Sequence, residues 1–331
     1  MSITYEEESN QYCIPISNVG LPVSDSIINT NILFSARNSK ISKNQEIWKV
    51  AVKDGTQNKI LEKSPWVTNG LAYLDDGYSF IVISGFSVFL SDNDGSELRE
   101  IDSAKEFLST FAPYTPIWNL LAQVDDIPGA DDLNHGIQNS PDGKYAAVWK
   151  EGDSELLMRN KQTGEEISIL ETEDLDFISG NWSPDGNSFL FSVYRNSDDI
   201  GNPEYSQVFQ VNKDGTNLFA LSRKYQYHLV TSPHWSPNGQ KVMLAYEDFP
   251  EQYMLILDIP SGNESFVEIS PYYSFTLLKD GEFVWSPDSA WVIYISNVRY
   301  NGIVAVSVLT GESYCIDNLA AGYSYDAMDW K

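Results

Sequence analysis

Gly180 to Asn196 reads GNWSPDGNSFLFSVYRN, a Trp leading into Ser-Pro-Asp-Gly and then an apolar run. Pro fixes φ at one turn position, Asp bonds its own backbone and Gly accepts positive φ, so these four residues reverse a chain tightly. The β-branched and aromatic residues behind them read as a strand. The phrase returns as HWSPNGQKVMLAY from His234, as VWSPDSAWVIYIS from Val284, and without the Trp as NSPDGKYAAVW from Asn139. The turn serines Ser140, Ser183, Ser236 and Ser286 are 43, 53 and 50 residues apart. A period of that length marks blades or solenoid units.

Each unit holds a second turn: Asp54-Gly55, Asp94-Gly95, Thr163-Gly164, Asp214-Gly215, Ser261-Gly262 and Thr310-Gly311. Apolar segments such as QVFQV and YMLILDI precede these turns, and others such as NLFALS follow. One unit is therefore four strands joined by tight hairpins. Runs such as FLFSVY and VIYIS are apolar at nearly every position, the pattern of sheets covered on both faces. No unit carries a 3.6-residue apolar period of useful length, which excludes a helical solenoid.

Six units can be counted, and the first, from Asn31, has only three strands. The tail Met328-Asp329-Trp330 matches the strand that leads into WSPDG elsewhere, and Trp330 follows Trp285 by 45 residues, in step with the repeat. The expected fold is all-β: a six-bladed antiparallel β-propeller over residues 31–331, with the C-terminal strand completing and closing the first blade. Residues 1–30 form an extension packed on it, and an insertion falls at about 103–135. Within the insertion, Ser103 with Glu106 and Thr115-Pro116 signal short helices.

NWSPDG, HWSPNG and VWSPDS, each followed by an apolar strand, together with the Ser-x-Arg of Ser35-Ala36-Arg37, resemble the repeat of TolB-like β-propellers. Related repeats occur in the tricorn protease and prolyl-oligopeptidase propellers. The resemblance covers Asn31 to Lys331. It implies the fold and a periplasmic, cell-surface or secreted location, and it does not imply one function, because this scaffold carries many. About thirty residues precede the first blade, so the α/β domain that TolB places ahead of its propeller has no counterpart in this sequence.

The chain has 331 residues, 42% of them hydrophobic, enough for a substantial core. Its 21 basic against 47 acidic residues give a net charge of -26. Such a field repels phosphates and anionic headgroups, so nucleic acid and anionic membranes are excluded as partners. Phe80 to Leu90, the longest apolar stretch, is too short to span a bilayer. The first residues, MSITYEEESNQYC, show no leader pattern. Cys13 and Cys315, the two cysteines, are either buried thiols or one bridge.

Function on such a frame belongs to its long loops. These carry Tyr114 and Trp118 in the insertion, Arg195 and Tyr205 around RNSDDIGNPEYS, then Tyr227 and His228, Tyr272 and Tyr273, and Arg299 and Tyr300; His135 precedes an innermost strand. Tyr joins a flat apolar face to a hydroxyl and tolerates a wet interface. The expectation is a non-catalytic, monomeric binding module for a protein, peptide or glycan. The alternative is a glycan lyase or hydrolase working at the central channel through His135, His228, Tyr227 and Arg299. No G-x-S-x-G elbow, P-loop or dinucleotide fingerprint is present. No cofactor is called for; Asp125, Asp126, Asp131 and Asp132 offer the oxygen ligands that suit Ca²⁺. SDNDGSE (91–97) imitates a calcium loop, but its Gly95 is out of place and a hairpin turn explains it.

Overall fold

The computed structural model of the protein describes residues 14–16, 20–38, 45–64, 68–74, 79–84, 87–101, 135–150, 155–171, 174–196, 203–248, 251–270, 283–296, 302–316 and 323–330. Among them every regular element is a strand, and the strands form six sheets. The first sheet runs Tyr323–Trp330, Asn31–Asn38, Gln45–Ala51, Gln57–Ser64. The second runs Thr68–Tyr73, Ser79–Ser84, Ser87–Asp92, Leu98–Glu100, and the third His135–Asn139, Tyr145–Lys150, Glu155–Asn160, Glu166–Glu171. The fourth is Asp176–Trp182, Ser188–Asn196, Pro203–Asn212, Phe219–Ala220. The fifth is Leu229–Trp235, Lys241–Asp248, Glu251–Asp258, Glu264–Ser270, and the sixth begins Phe283–Trp285, Trp291–Ser296, Gly302–Ser307, Ser313–Cys315. The helices expected within 103–135 lie outside the described residues.

Two sheets depart from four antiparallel strands. Tyr225–Gln226 adds a second short strand to Pro203–Asn212. Ile14–Pro15 lies along the outer edge of the sixth sheet, parallel to Ser313–Cys315.

The SPDG turns show why the repeat is spelled as it is. Ser183 Oγ donates to Asp185 Oδ1 at 2.6 Å and accepts from Ser188 N at 3.0 Å, while Gly186 N closes on Ser183 O at 2.8 Å. Ser140, Ser236 and Ser286 make the same bonds. The fourth turn position has positive φ in each, and at 289 a serine holds it at 63°. That left-handed conformation costs a non-glycine residue roughly 1 kcal/mol. Ser289 Oγ accepts from Asn238 N at 3.1 Å, which ties the sixth sheet's turn to the fifth's and offsets the cost. Gly180, first residue of the decisive stretch, is needed for close approach: a Cβ there would fall 2.3 Å from Phe189 Cζ.

Neighbouring sheets pack face to face. Tyr323–Trp330 packs against both Thr68–Tyr73 and Phe283–Trp285, and Asp176–Trp182 against His135–Asn139 and Leu229–Trp235. Two of the repeat tryptophans stitch these contacts: Trp182 Nε1 donates to Gln138 O (2.8 Å) and Trp285 Nε1 to His234 O (3.4 Å) in the preceding sheet. One apolar cluster runs from Met243 and Met254 of the fifth sheet through Val292 and Ile303 of the sixth to Phe34 and Trp330 of the first. The segment before the first sheet feeds the same cluster through Ile16, Leu21 and Ile27. It is held by Gly20 N to Ile16 O (2.8 Å), Leu21 N to Val52 O (3.0 Å) and Ser24 Oγ to Asp288 Oδ2 (2.7 Å).

Candidate functional site

Four of the side chains singled out in the sequence, Arg195, Tyr205, Tyr227 and His228, meet at one rim of the fourth sheet. The register brings them there. Arg195, late in the second strand, lies opposite Tyr205 near the start of the third, and Tyr205 lies opposite Gln226 of the added short strand. These positions share the end of the sheet where second strand meets third and where the chain leaves for the fifth sheet, remote from the SPDG turns.

On one flank, Arg195 pairs with Glu204 Oε2 (Nε, 3.3 Å) and Asp174 Oδ2 (Nη2, 3.6 Å). Its acids come from its own sheet and from the stretch leading into that sheet. Lys224 holds its ammonium 4.0 Å from the centre of the Tyr205 ring. A cation over an aromatic face is attracted by the ring quadrupole. Among the described residues Lys224 has no carboxylate partner, whereas Arg223 beside it is engaged with Glu264 Oε2 at 3.2 Å.

On the other flank, toward the fifth sheet, Tyr225 is buried and donates to Glu264 Oε1 at 3.0 Å. Burial, with the Glu264 carboxylate beside it, pushes this hydroxyl far above its ordinary range. The His228 ring stacks on Tyr246 with centroids 5.1 Å apart, and its Nδ1 donates to Gln226 O at 2.5 Å. A carbonyl only accepts, so the contact places the proton on Nδ1. Tyr246 in turn contacts Tyr225 and Tyr253.

Tyr227 stands between the flanks. Its N–H bonds Glu204 O at 3.1 Å, its φ is 60°, and the residue is 72% exposed. A bulky residue rarely sits in the left-handed region, and strain of this kind gathers at working sites. The residue also gains nothing from burial, so neither packing nor backbone preference accounts for a tyrosine there.

His135 is placed by its backbone at the start of the third sheet's first strand, opposite Lys150. Tyr114, Trp118, Tyr272, Tyr273, Arg299 and Tyr300 lie outside the described residues, as do Asp125, Asp126, Asp131 and Asp132. Sequence reasoning passed over Lys224, Arg223, Tyr246, Tyr253 and Glu264. Arg223-Lys224 had a legible signal, since no other two cations are adjacent in this acidic chain. Tyr246, Tyr253 and Glu264 had none; they lie in regular strand positions and reach the rim only through packing between sheets.

Among the described residues no group of three or more His, Cys, Asp or Glu could hold a metal ion. The 91–97 stretch is a hairpin turn whose Asp92 is spent on Ser96 Oγ (2.7 Å) and Glu97 N (3.1 Å). Cys315 is disulfide-bonded; Cys13, the only other cysteine in the sequence, lies outside the described residues. No described helix is long and apolar enough to cross a membrane.

No protein-family model and no curated protein matches the chain. Solved structures do. TolB from Acinetobacter baumannii aligns over 92% of this chain and 67% of its own, at 17% identity and a TM-score of 0.54. A putative 6-phosphogluconolactonase from Bacteroides uniformis aligns over 92% and 100%, at 12% identity and 0.55. A structure from a study of two prolyl endopeptidases aligns over 90% of this chain and half of its own, at 12% identity and 0.52. At such identities the likeness concerns architecture alone. The chain has the all-β fold of the TolB-like propellers.

Proposed function

We propose that the chain is a non-catalytic binding module that grips a protein, peptide or glycan partner through the rim of the fourth sheet. In this reading the six sheets are the six blades of one propeller over residues 31–331, with residues 1–30 packed on it as an extension. Pairing of Tyr323–Trp330 with Asn31–Asn38 closes the ring. The observation that carries the functional reading is Tyr227, a strained and exposed aromatic between a cation-capped tyrosine and a histidine–tyrosine stack. Tyrosine and arginine dominate the energetics of protein interfaces, because each brings a large contact area together with polar ends.

The neighbours include a TolB, a putative lactonase and a peptidase, so the fold leaves both binding and catalysis open. The rim favours binding. His228 stacks its ring on Tyr246 and donates from Nδ1 to Gln226 O, contacts that brace the rim as a platform. A location outside the cytoplasm fits the disulfide-bonded Cys315 and the strongly acidic surface. The reading is of a monomer without a cofactor.

Arrays of defined peptides and of neutral and acidic glycans test it, probed with the wild type and a Tyr205→Ala/Tyr227→Ala variant. Ligands retained by the wild type lose at least about tenfold in affinity in the variant, the range expected when interface aromatics are truncated. Equal retention by both proteins would overturn the assignment to this rim.

A further inference from the structure

The short strand Tyr225–Gln226 pairs with Pro203–Asn212 on one side and with no strand on the other among the described residues. In an antiparallel ladder the backbone groups of successive residues face opposite sides. Tyr227 N–H turns inward to Glu204 O, so the N–H of Gln226 turns outward. Gln226 and Lys224, the residue just before the strand, are both exposed. Lys224 is the rim's one cation with no carboxylate among the described residues; Arg195 and Arg223 both have theirs.

We infer that this edge receives an extended peptide bearing a single carboxylate, which adds as a further strand beside Lys224–Gln226. The inference rests on the binding reading above and names its ligand. Strand addition uses main-chain hydrogen bonds in register, which a peptide and not a sugar chain supplies; at Gln226 the N–H is the group on offer, since its carbonyl accepts from His228 Nδ1. The Lys224 ammonium, held over Tyr205, meets the carboxylate, and the exposed Tyr227 ring takes an adjacent apolar side chain. One carboxylate suffices. The net charge of -26 repels a polyanion, so the local positive spot selects a ligand whose body is otherwise neutral.

The probe is an N-acetylated, C-amidated peptide of alternating Thr and Val with one Glu near its end, labelled with an uncharged BODIPY dye, compared with the same peptide carrying Gln in place of that Glu. Fluorescence anisotropy gives the affinities. The Glu peptide binds the wild type, and the Gln peptide binds about fivefold more weakly, as does the Glu peptide to Lys224→Gln, the scale of an exposed ion pair. The difference shrinks as salt rises. Gln226→Pro removes an N–H with no partner among the described residues and abolishes binding, with circular dichroism and the unfolding midpoint as in the wild type. Equal affinity for the Glu and Gln peptides, or undiminished binding to Gln226→Pro, overturns the inference while leaving a binding rim. Capture of a uronate-ended oligosaccharide that is lost in Tyr227→Ala, with no peptide bound, overturns it in favour of a glycan. If peptide and glycan both bind alike to wild type and Tyr227→Ala, the broader reading fails as well.

Discussion

Trp330 Nε1 donates to Thr30 Oγ1 at 2.8 Å, joining residues 300 positions apart in the sequence. Trp182 and Trp285 send the same indole proton to the preceding sheet; Trp330 sends it to the segment that opens its own. That segment is fixed in turn, since Thr30 Oγ1 donates to Ile27 O (2.7 Å) and Thr30 O accepts from Val52 N (3.2 Å). Beside it Asp329 Oδ2 accepts from Tyr73 N at 2.7 Å, which ties the last strand to the second sheet.

Thr30→Val keeps the shape and removes the acceptor, so it costs about 1–2 kcal/mol by leaving a buried indole proton unpaired. Trp330→Ala removes the ring from the cluster shared by three sheets and costs about 3–5 kcal/mol. Urea unfolding with a single shared m-value checks both. Costs in the reverse order would show that the strand is held by its ladder and not by the tryptophan.

Cys315 lies on the strand paired with Ile14–Pro15, and Ile16 N reaches Cys315 O at 3.2 Å. The expected partner in its disulfide is Cys13. Proteolysis without reductant yields one linked fragment containing both cysteines, separable by reductant in mass spectrometry. Reduction lowers stability by about 2–4 kcal/mol, because a long loop in the unfolded chain is released. Cys13→Ser reproduces the loss and becomes insensitive to reductant.

Asp258 accepts from Ser261 Oγ (2.6 Å) and N (3.0 Å) and from Lys241 Nζ (2.9 Å). The Ser261 hydroxyl, then Lys241, hold its carboxyl down to about 2. Asp54, Asp185 and Asp214, bonded by Thr56, Ser183 and Thr216, are also shifted down. A carboxyl lowered by folding takes its proton first in the unfolded chain. The stability it confers is complete above about pH 4 and is lost as pH falls toward about 2. Urea midpoints at pH 5, 3 and 2 show Asp258→Asn below the wild type at pH 5 and level with it at pH 2. A gap that persists at pH 2 points to a packing loss instead.

Tyr227 separates stability from binding. Tyr227→Gly relieves the positive φ and gains about 1 kcal/mol in thermal or urea unfolding, since the side chain has little burial to lose. The same change weakens ligand capture at the rim. A variant that is both less stable and unchanged in binding would make Tyr227 a structural residue.

The sequence by itself settled where the chain turns and how its strands group. Pro, Asp and Gly at the turn positions dictate φ within four residues, and the structure shows the same hydrogen bonds at Ser140, Ser183, Ser236 and Ser286. It also placed the strand of Trp330 beside that of Phe34, because the tail repeats the phrase that leads into each turn; Met328 lies opposite Phe34 and Trp330 opposite Ile32. Only the tertiary structure decided the rim. Arg195, Tyr205 and Gln226 share it through ladder registers, and Glu264 and Tyr246 join from a neighbouring sheet. Local sequence cannot fix such meetings, since a shift of one residue in register would turn every one of those side chains to the opposite face.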